Sequence, residues 1–178
     1  MTIQEFINID KTFNEALFLT KANHIFIKLF TCIMMDKLID VKHFINEDVY
    51  NYAENIISPL RSKNYRQMYD ELNVKNTRIK NIKIENDKVI IEVELISRYI
   101  DYFIDKDTLE YVSGINNRRI EKVNSLTFEK IIGVDYKSNI IKCPYCGASM
   151  DINSTGQCLY CRKIFNAEEY DWILVDIK

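Results

Sequence analysis

The sequence predicts an α+β fold, with helices first, a strongly curved antiparallel sheet after them and a small cysteine-built unit at the end. Three observations carry this. Apolar residues recur every three or four positions up to about residue 60 and every second position beyond it. The longest β-rich run changes phase by one residue within itself, and two C-x-x-C pairs stand near the C-terminus.

A chain of 178 residues, 47% hydrophobic and 28% charged, is large enough for one good core plus a small appendage. Its formal charge of -2 supplies no global attraction to nucleic acid or anionic lipid. Residues 1–13 lack a basic start followed by a long apolar run and are read as an N-terminal tail. The most apolar later stretch, His24 to Met35, contains Lys28 and stops at Asp36, so neither signal peptide nor membrane span is expected. Cytoplasmic location follows as the expectation, because the cysteines then stay reduced. Abundant Ile, Asn, Lys and Tyr fit an AT-rich bacterial coding sequence, which says nothing about function.

From Asn14 onward, Leu19, Ala22, Phe26, Leu29 and Ile33 recur at spacings of three and four, with Phe18, Ile25 and Phe30 widening the stripe. That is a long amphipathic helix facing a core. A second helix opens at Asn46 as N-cap, with Glu47 and Asp48 against the positive helix end, and runs through Val49, Ala53, Ile56, Ile57 and Leu60. Pro59 and Ser62-Lys63-Asn64 close it.

The strands start with Ile79, Ile82 and Ile84, turn at Glu85-Asn86-Asp87, and continue from Val89 to Ile104. Val89, Ile91, Val93 and Leu95 occupy odd positions, whereas Ile96, Ile100, Tyr102 and Ile104 occupy even ones. A β-bulge produces such a shift and bends long strands, hence the expected strong curvature. Asp105-Lys106-Asp107 and Ser113-Gly114 mark turns, and Arg118 to Ile132 supplies another strand through Ile120, Leu126 and Phe128. Helices followed by an antiparallel meander make the main domain, residues 14–138, α+β.

Residues 139–178 hold two knuckles, Cys143-Pro144-Tyr145-Cys146-Gly147 and Cys158-Leu159-Tyr160-Cys161-Arg162. Two C-x-x-C pairs eleven residues apart suit a tetrahedral thiolate site for one structural zinc ion, held by Cys143, Cys146, Cys158 and Cys161. Pro144 stiffens the first turn, and Gly147 can take the positive φ that aims backbone N–H groups at the sulfurs. Arg162 stands at the equivalent place in the second knuckle, where it costs strain but sets a cation near four anionic sulfurs. Asp151 to Gly156 carries the turn signal of the hairpin tip. A disulfide lacks a secretory context, and duplication argues against a thioredoxin-like redox pair. Four thiolates fill the shell, so the metal holds structure and does no chemistry.

The run Met35 to Tyr50, the segment Gln67 to Val74 and the strand Val89 to Tyr102 together resemble the TIM-forty-four-like domain, in the form that many bacteria join to a C-terminal zinc ribbon. The likeness covers roughly Asn14 to Ile132, and the ribbon with Tyr170-Asp171-Trp172-Ile173-Leu174 extends it nearly to the end. The resemblance implies a cone-like, cystatin-like fold of the nuclear-transport-factor-two-like superfamily, with helices over the concave face of a bent sheet and an apolar pocket between. Mitochondrial members tether a chaperone motor to a membrane translocon and contact acidic lipids, largely through a long N-terminal extension that this sequence does not show. What the resemblance implies here is a non-catalytic binding module in a transport or tethering role.

Phe26, Phe30, Ile91, Val93 and Tyr99 are the residues expected to line the pocket, for an acyl chain or an apolar protein segment. The plainer reading is that they fill the space themselves. An alternative is an enzyme of the same superfamily using Tyr99, Asp101, Tyr102 or Asp105 for proton transfer. His24, beside the apolar helix stripe, and His43, just before an N-cap, have no acidic or thiol partner in the pattern, and Cys32 reads as a buried small hydrophobe. A nucleic-acid reading would use Tyr145, Tyr160 and Phe165 with Lys142, Arg162 and Lys163. Asp151, Glu168, Glu169, Asp171 and Asp176 in the same segment oppose it, and the aromatics are expected to form the ribbon's small core. The tail Trp172 to Val175 is expected to dock on the ribbon, the main domain or a second subunit.

Overall fold

Side-chain caps set where each helix begins. Thr2 and Glu5 form a reciprocal capping box that opens α1 (Ile3–Ile9). Asn14 accepts from the Leu17 N–H at the head of α2 (Glu15–Met35), and Asn46 accepts from the Val49 N–H at the head of α3 (Glu47–Ser62). α2 stops at Asp36 in the left-handed region (φ 54°), where the carboxylate receives the guanidinium of Arg61 from α3. The computed structural model describes residues 1–132, 141–142, 146–150, 158, 160–162 and 172–178.

The first thirteen residues are not a tail. Phe6 is fully buried and Phe13 nearly so, with their rings 4.8 Å apart, and Phe13 continues to Phe18 at 5.8 Å. A seven-residue helix shows too little periodicity to be seen as amphipathic, yet one buried phenylalanine fixes it to the core. α2 is long and apolar enough to cross a membrane by length and composition. Its Phe18, Ile25, Phe26, Leu29, Phe30 and Ile33 are buried in the protein's own core instead.

Three long strands and one short one make an antiparallel sheet in the order β1 (Tyr65–Glu85), β2 (Lys88–Asp105), β3 (Tyr111–Ile131) and β6 (Ile173–Ile177). A separate small ladder pairs β4 (Ile141–Lys142) with β5 (Ser149–Met150). Glu85 pairs with Lys88 across Asn86 and Asp87, both at positive φ, which is the two-residue hairpin geometry matched to strand twist. β1 begins at Tyr65, well before the Ile79 expected from sequence. Its first half is rich in polar residues and is broken by register shifts between Asp70 and Asn73 and between Val74 and Asn76, so no alternation survives to be read.

The sheet is not strongly curled, contrary to expectation. Val89, Ile91, Val93, Leu95, Ser97 and Tyr99 are all buried, and the register of β2 with β3 is unbroken from Lys88 to Tyr99. The bend expected between Leu95 and Ile96 is therefore absent from that ladder, because Ser97 takes the inward position that the apolar count skipped. The phase shift comes later. Asn116, Asn117, Arg118 and Arg119 of β3 stand opposite the single residue Ile100, and Gly114, read from sequence as a turn, lies inside β3 opposite Tyr102. The opposite face of the sheet carries ion pairs such as Arg78–Glu94, Lys75–Glu121 and Arg98–Glu121, each worth little in solvent.

The closing segment docks on the main sheet. Phe128 pairs with Leu174, Ser125 and Lys178 exchange backbone hydrogen bonds of 2.8 and 2.9 Å, and the Asn46 N–H donates to the Leu174 carbonyl. Trp172 is buried with its ring 4.8 Å from Phe18. Strand β6 thus belongs to the helix–sheet core and not to a detachable C-terminal unit.

Candidate functional site

Two places hold chemistry-bearing groups. The first is the cysteine unit. The sulfurs of Cys146, Cys158 and Cys161 lie within 4.8 Å of one another, and Cys146 and Cys158 are 3.8 Å apart. A disulfide would bring two sulfurs to about 2.05 Å. Four thiolates at about 2.3 Å around a tetrahedral ion stand about 3.8 Å from each other, so this set fits a metal. The knuckle backbones match that use: Gly147 has φ 73°, and Arg162 takes φ 59° while its N–H donates to the Cys158 carbonyl at 2.8 Å. A Cβ at Gly147 would meet nothing, so its conformation and not its size is what the turn requires. Cys158 is fully buried, which keeps one of the three sulfurs from water. Cys143, the fourth expected ligand, lies outside the described residues, as do Pro144, the hairpin tip, Tyr145, Phe165 and Lys163. Tyr160 is 72% exposed and so is no part of a ribbon core.

The second place is the interior between α2, α3 and the sheet. Phe26, Phe30, Ile91, Val93 and Tyr99, expected to line a pocket, are all at most 2% exposed and belong to one packed cluster. Phe26 and Phe30 have centroids 4.4 Å apart, and Phe30 meets Tyr69 at 4.8 Å and Tyr99 at 6.2 Å. Tyr69 meets Tyr99 edge-on at 5.2 Å. Sequence reasoning missed Tyr69 because β1 was not recognised that far back.

The four residues weighed for proton transfer separate. The Tyr102 hydroxyl donates to Asp70 at 2.5 Å, a bond that raises the phenol's pKa. The Asp105 carboxylate accepts from the backbone N–H groups of Thr108 and Asp107 and is held low by them, closing the β2–β3 turn. Tyr99 and Asp101 remain together, on the side of Tyr69, whose register partner is Asp101. Gln67, itself 6% exposed, donates from Nε2 to Asp101 Oδ1 at 2.7 Å. Burial first and the Asp101 charge second push Tyr99 up to about 12 and raise Tyr69 further, while burial raises Tyr52 of α3. His24 is exposed on α2; His43 is half-buried, and burial, then Lys42, lowers its pKa. Cys32 is buried in the core and its thiol pKa is raised by that burial, as a small hydrophobe's would be.

Three helices on an antiparallel sheet, with a thiol cluster appended, define an α+β module with a metal-type cysteine site. The chain belongs to the Tim44-like domain family, whose model matches residues 1–139 and so includes α1. Among solved structures it is similar to the intermembrane-space region of the chloroplast protein ARC6, at 7% identity and TM-score 0.45, with 100% of this chain and 95% of that chain covered. No curated protein matches it.

Proposed function

We propose that this protein is a non-catalytic binding or tethering module of the cytoplasm. In this reading its Tim44-like unit contacts a protein segment with its outer surface, and one structural zinc ion held by Cys143, Cys146, Cys158 and Cys161 stiffens the connection between β3 and β6. The observation that carries it is the filled interior: the residues that would wall an acyl-chain pocket pack on each other, so a lipid would have to displace Phe26, Phe30 and Tyr99. Partner contact then falls to the outside of the module. Zinc is favoured because thiolates at this spacing suit a tetrahedral ion with no catalytic position left open. The enzyme alternative is weakened because Tyr102 and Asp105 are engaged in structural hydrogen bonds.

Native mass spectrometry of the chain purified without added metal, before and after organic extraction, tests both parts. One zinc and no acyl lipid is the expected result. An extractable lipid would return the interior as the ligand site, and a reduced, folded sample without zinc would remove the metal. For tethering itself, a photoreactive residue at the exposed Val123 should crosslink in cells to a defined protein whose binding is reproduced with purified components. Crosslinking no different from that of an unrelated soluble protein would refute it.

A further inference from the structure

Strand β3 outruns its outer partner. Its register with β6 ends at Leu126, and a last backbone exchange between Ser125 and Lys178 closes that ladder. Beyond it, no strand among the described residues lies beside Ile120–Asn124 on the β6 side, although β2 pairs with all five on the other. Hydrogen-bonding direction alternates from one residue to the next along a strand. Ser125 points its N–H and C=O at β6, so Asn124 and Lys122 point theirs at β2, and the Lys122 carbonyl indeed accepts from Ser97 of β2. Val123 and Glu121 then point theirs out of the edge. Both residues are exposed, Val123 by 61%, and none of Tyr111–Val123 is buried on either face.

An open edge is a template for another strand, and the charges around it decide which strand fits. Lys75 and Arg98 share Glu121, and Arg119 takes Glu71, whereas Arg118 and Lys122 have no ion-pair partner among the described residues. The edge is therefore positive on balance. A second copy of this chain is the wrong occupant. Laying Ile120–Asn124 fully against its own copy in antiparallel register sets Lys122 opposite Lys122, and like charges directly opposite destabilise a pair. We propose that this edge takes an extended acidic segment of a different protein, added antiparallel to β3 in the lane that β6 leaves open, with its backbone bonded to Val123 and Glu121. Side chains alternate across a strand, so the segment sets a carboxylate beside Lys122 on one face and a β-branched apolar residue beside Val123 on the other. Backbone pairing supplies the attachment, and the Lys122 charge supplies the choice of partner. This edge site rests on the tethering reading and gives it a surface and a partner chemistry.

The test is an amide NMR titration of the isotope-labelled full chain with the capped heptapeptide TVEVEVT, and with TVKVKVT as its basic counterpart. Saturable shifts centred on residues 120–124 are expected from the acidic peptide. Hydrogen exchange should slow at Glu121 and Val123 and stay unchanged at Lys122 and Asn124, whose N–H groups β2 already holds. The basic peptide should bind at least about fivefold more weakly, and K122E should reverse that order. V123P removes one outward N–H and no bond to β2, which an edge strand tolerates, and should abolish binding. Thermal midpoints are checked first; if V123P does not fold, K122E carries the test. No saturable shift with the acidic peptide, or variants that bind both peptides as the parent does, would overturn the edge site. Tethering fails in a different way: a peptide that does not bind, beside a defined cellular protein still crosslinked from Val123, refutes strand addition alone, whereas loss of the defined crosslink refutes tethering.

Discussion

Asn124 shows how a single polar residue can hold a sheet's inner face together. It is 2% exposed, and its side-chain amide donates to the Leu95 carbonyl, the Lys122 carbonyl and the hydroxyl of Ser97, itself fully buried. Ser97 is held inside by that amide and by its own 3.4 Å bond to the Lys122 carbonyl, and a buried polar group left unsatisfied there would cost on the order of 1–3 kcal/mol. Asn124→Ala should therefore destabilise the fold by about 1–3 kcal/mol in urea unfolding, and Ser97→Ala by less, because the amide keeps two carbonyl acceptors. In a double-mutant cycle the two should be coupled, the second substitution costing little once the first is made; effects that add within about 0.3 kcal/mol would mean the pair is not a unit. This pair is also where the sequence misled. Counting apolar residues alone, the stripe in β2 jumps from Leu95 to Ile96, whereas the buried polar pair lets the odd positions continue to Tyr99.

At the scale of elements, legibility followed how local the signal was. α2 and α3 were readable because their caps, Asn14 and Asn46, and their apolar stripes lie within a few residues of each other. α1 had a signal too, the Thr2–Glu5 capping box, but without enough turns behind it to stand out. β3 was misread at Ser113-Gly114 for a different reason. Gly114 takes φ 106° inside the strand, and a Cβ there would stand 2.6 Å from the Tyr102 Cα and 2.7 Å from the Asp101 carbonyl oxygen. A glycine needed for close backbone approach in a bulged ladder looks, in sequence, the same as one needed for a turn. Gly114→Ala should cost about 2 kcal/mol or more, since strain and a backbone clash act together. Thermal unfolding followed by circular dichroism would show it; a midpoint within a degree of the parent's would mean that β3 relaxes there without cost.

Across the whole molecule, the sequence divided into a main domain and a C-terminal unit, and chain order made that division look natural. The fold interleaves them: the cysteine unit is inserted in the connection between β3 and β6, and β6 returns to bury Trp172, Leu174 and Ile177 in the main core. Only pairing across that long separation decides this, and no local pattern encodes it. The proposed metal would tie Cys143 to Cys161 and so shorten the connection from Ile131 to Ile173 by somewhat less than half, and halving a flexible loop is worth only about 0.6 kcal/mol. Cys158→Ser should thus abolish metal binding and release the cysteine unit while lowering the main unfolding midpoint by only a few degrees. Truncation before Trp172 acts on packing, stripping cover from Phe13, Phe18 and Phe128 and deleting three buried side chains, each worth roughly 2–5 kcal/mol. That chain should not fold. Hydrogen exchange of the two variants separates the cases: for Cys158→Ser, protection should persist through β2, β3 and β6, and its global loss on metal removal would mean that the cysteine unit, not β6, closes the core.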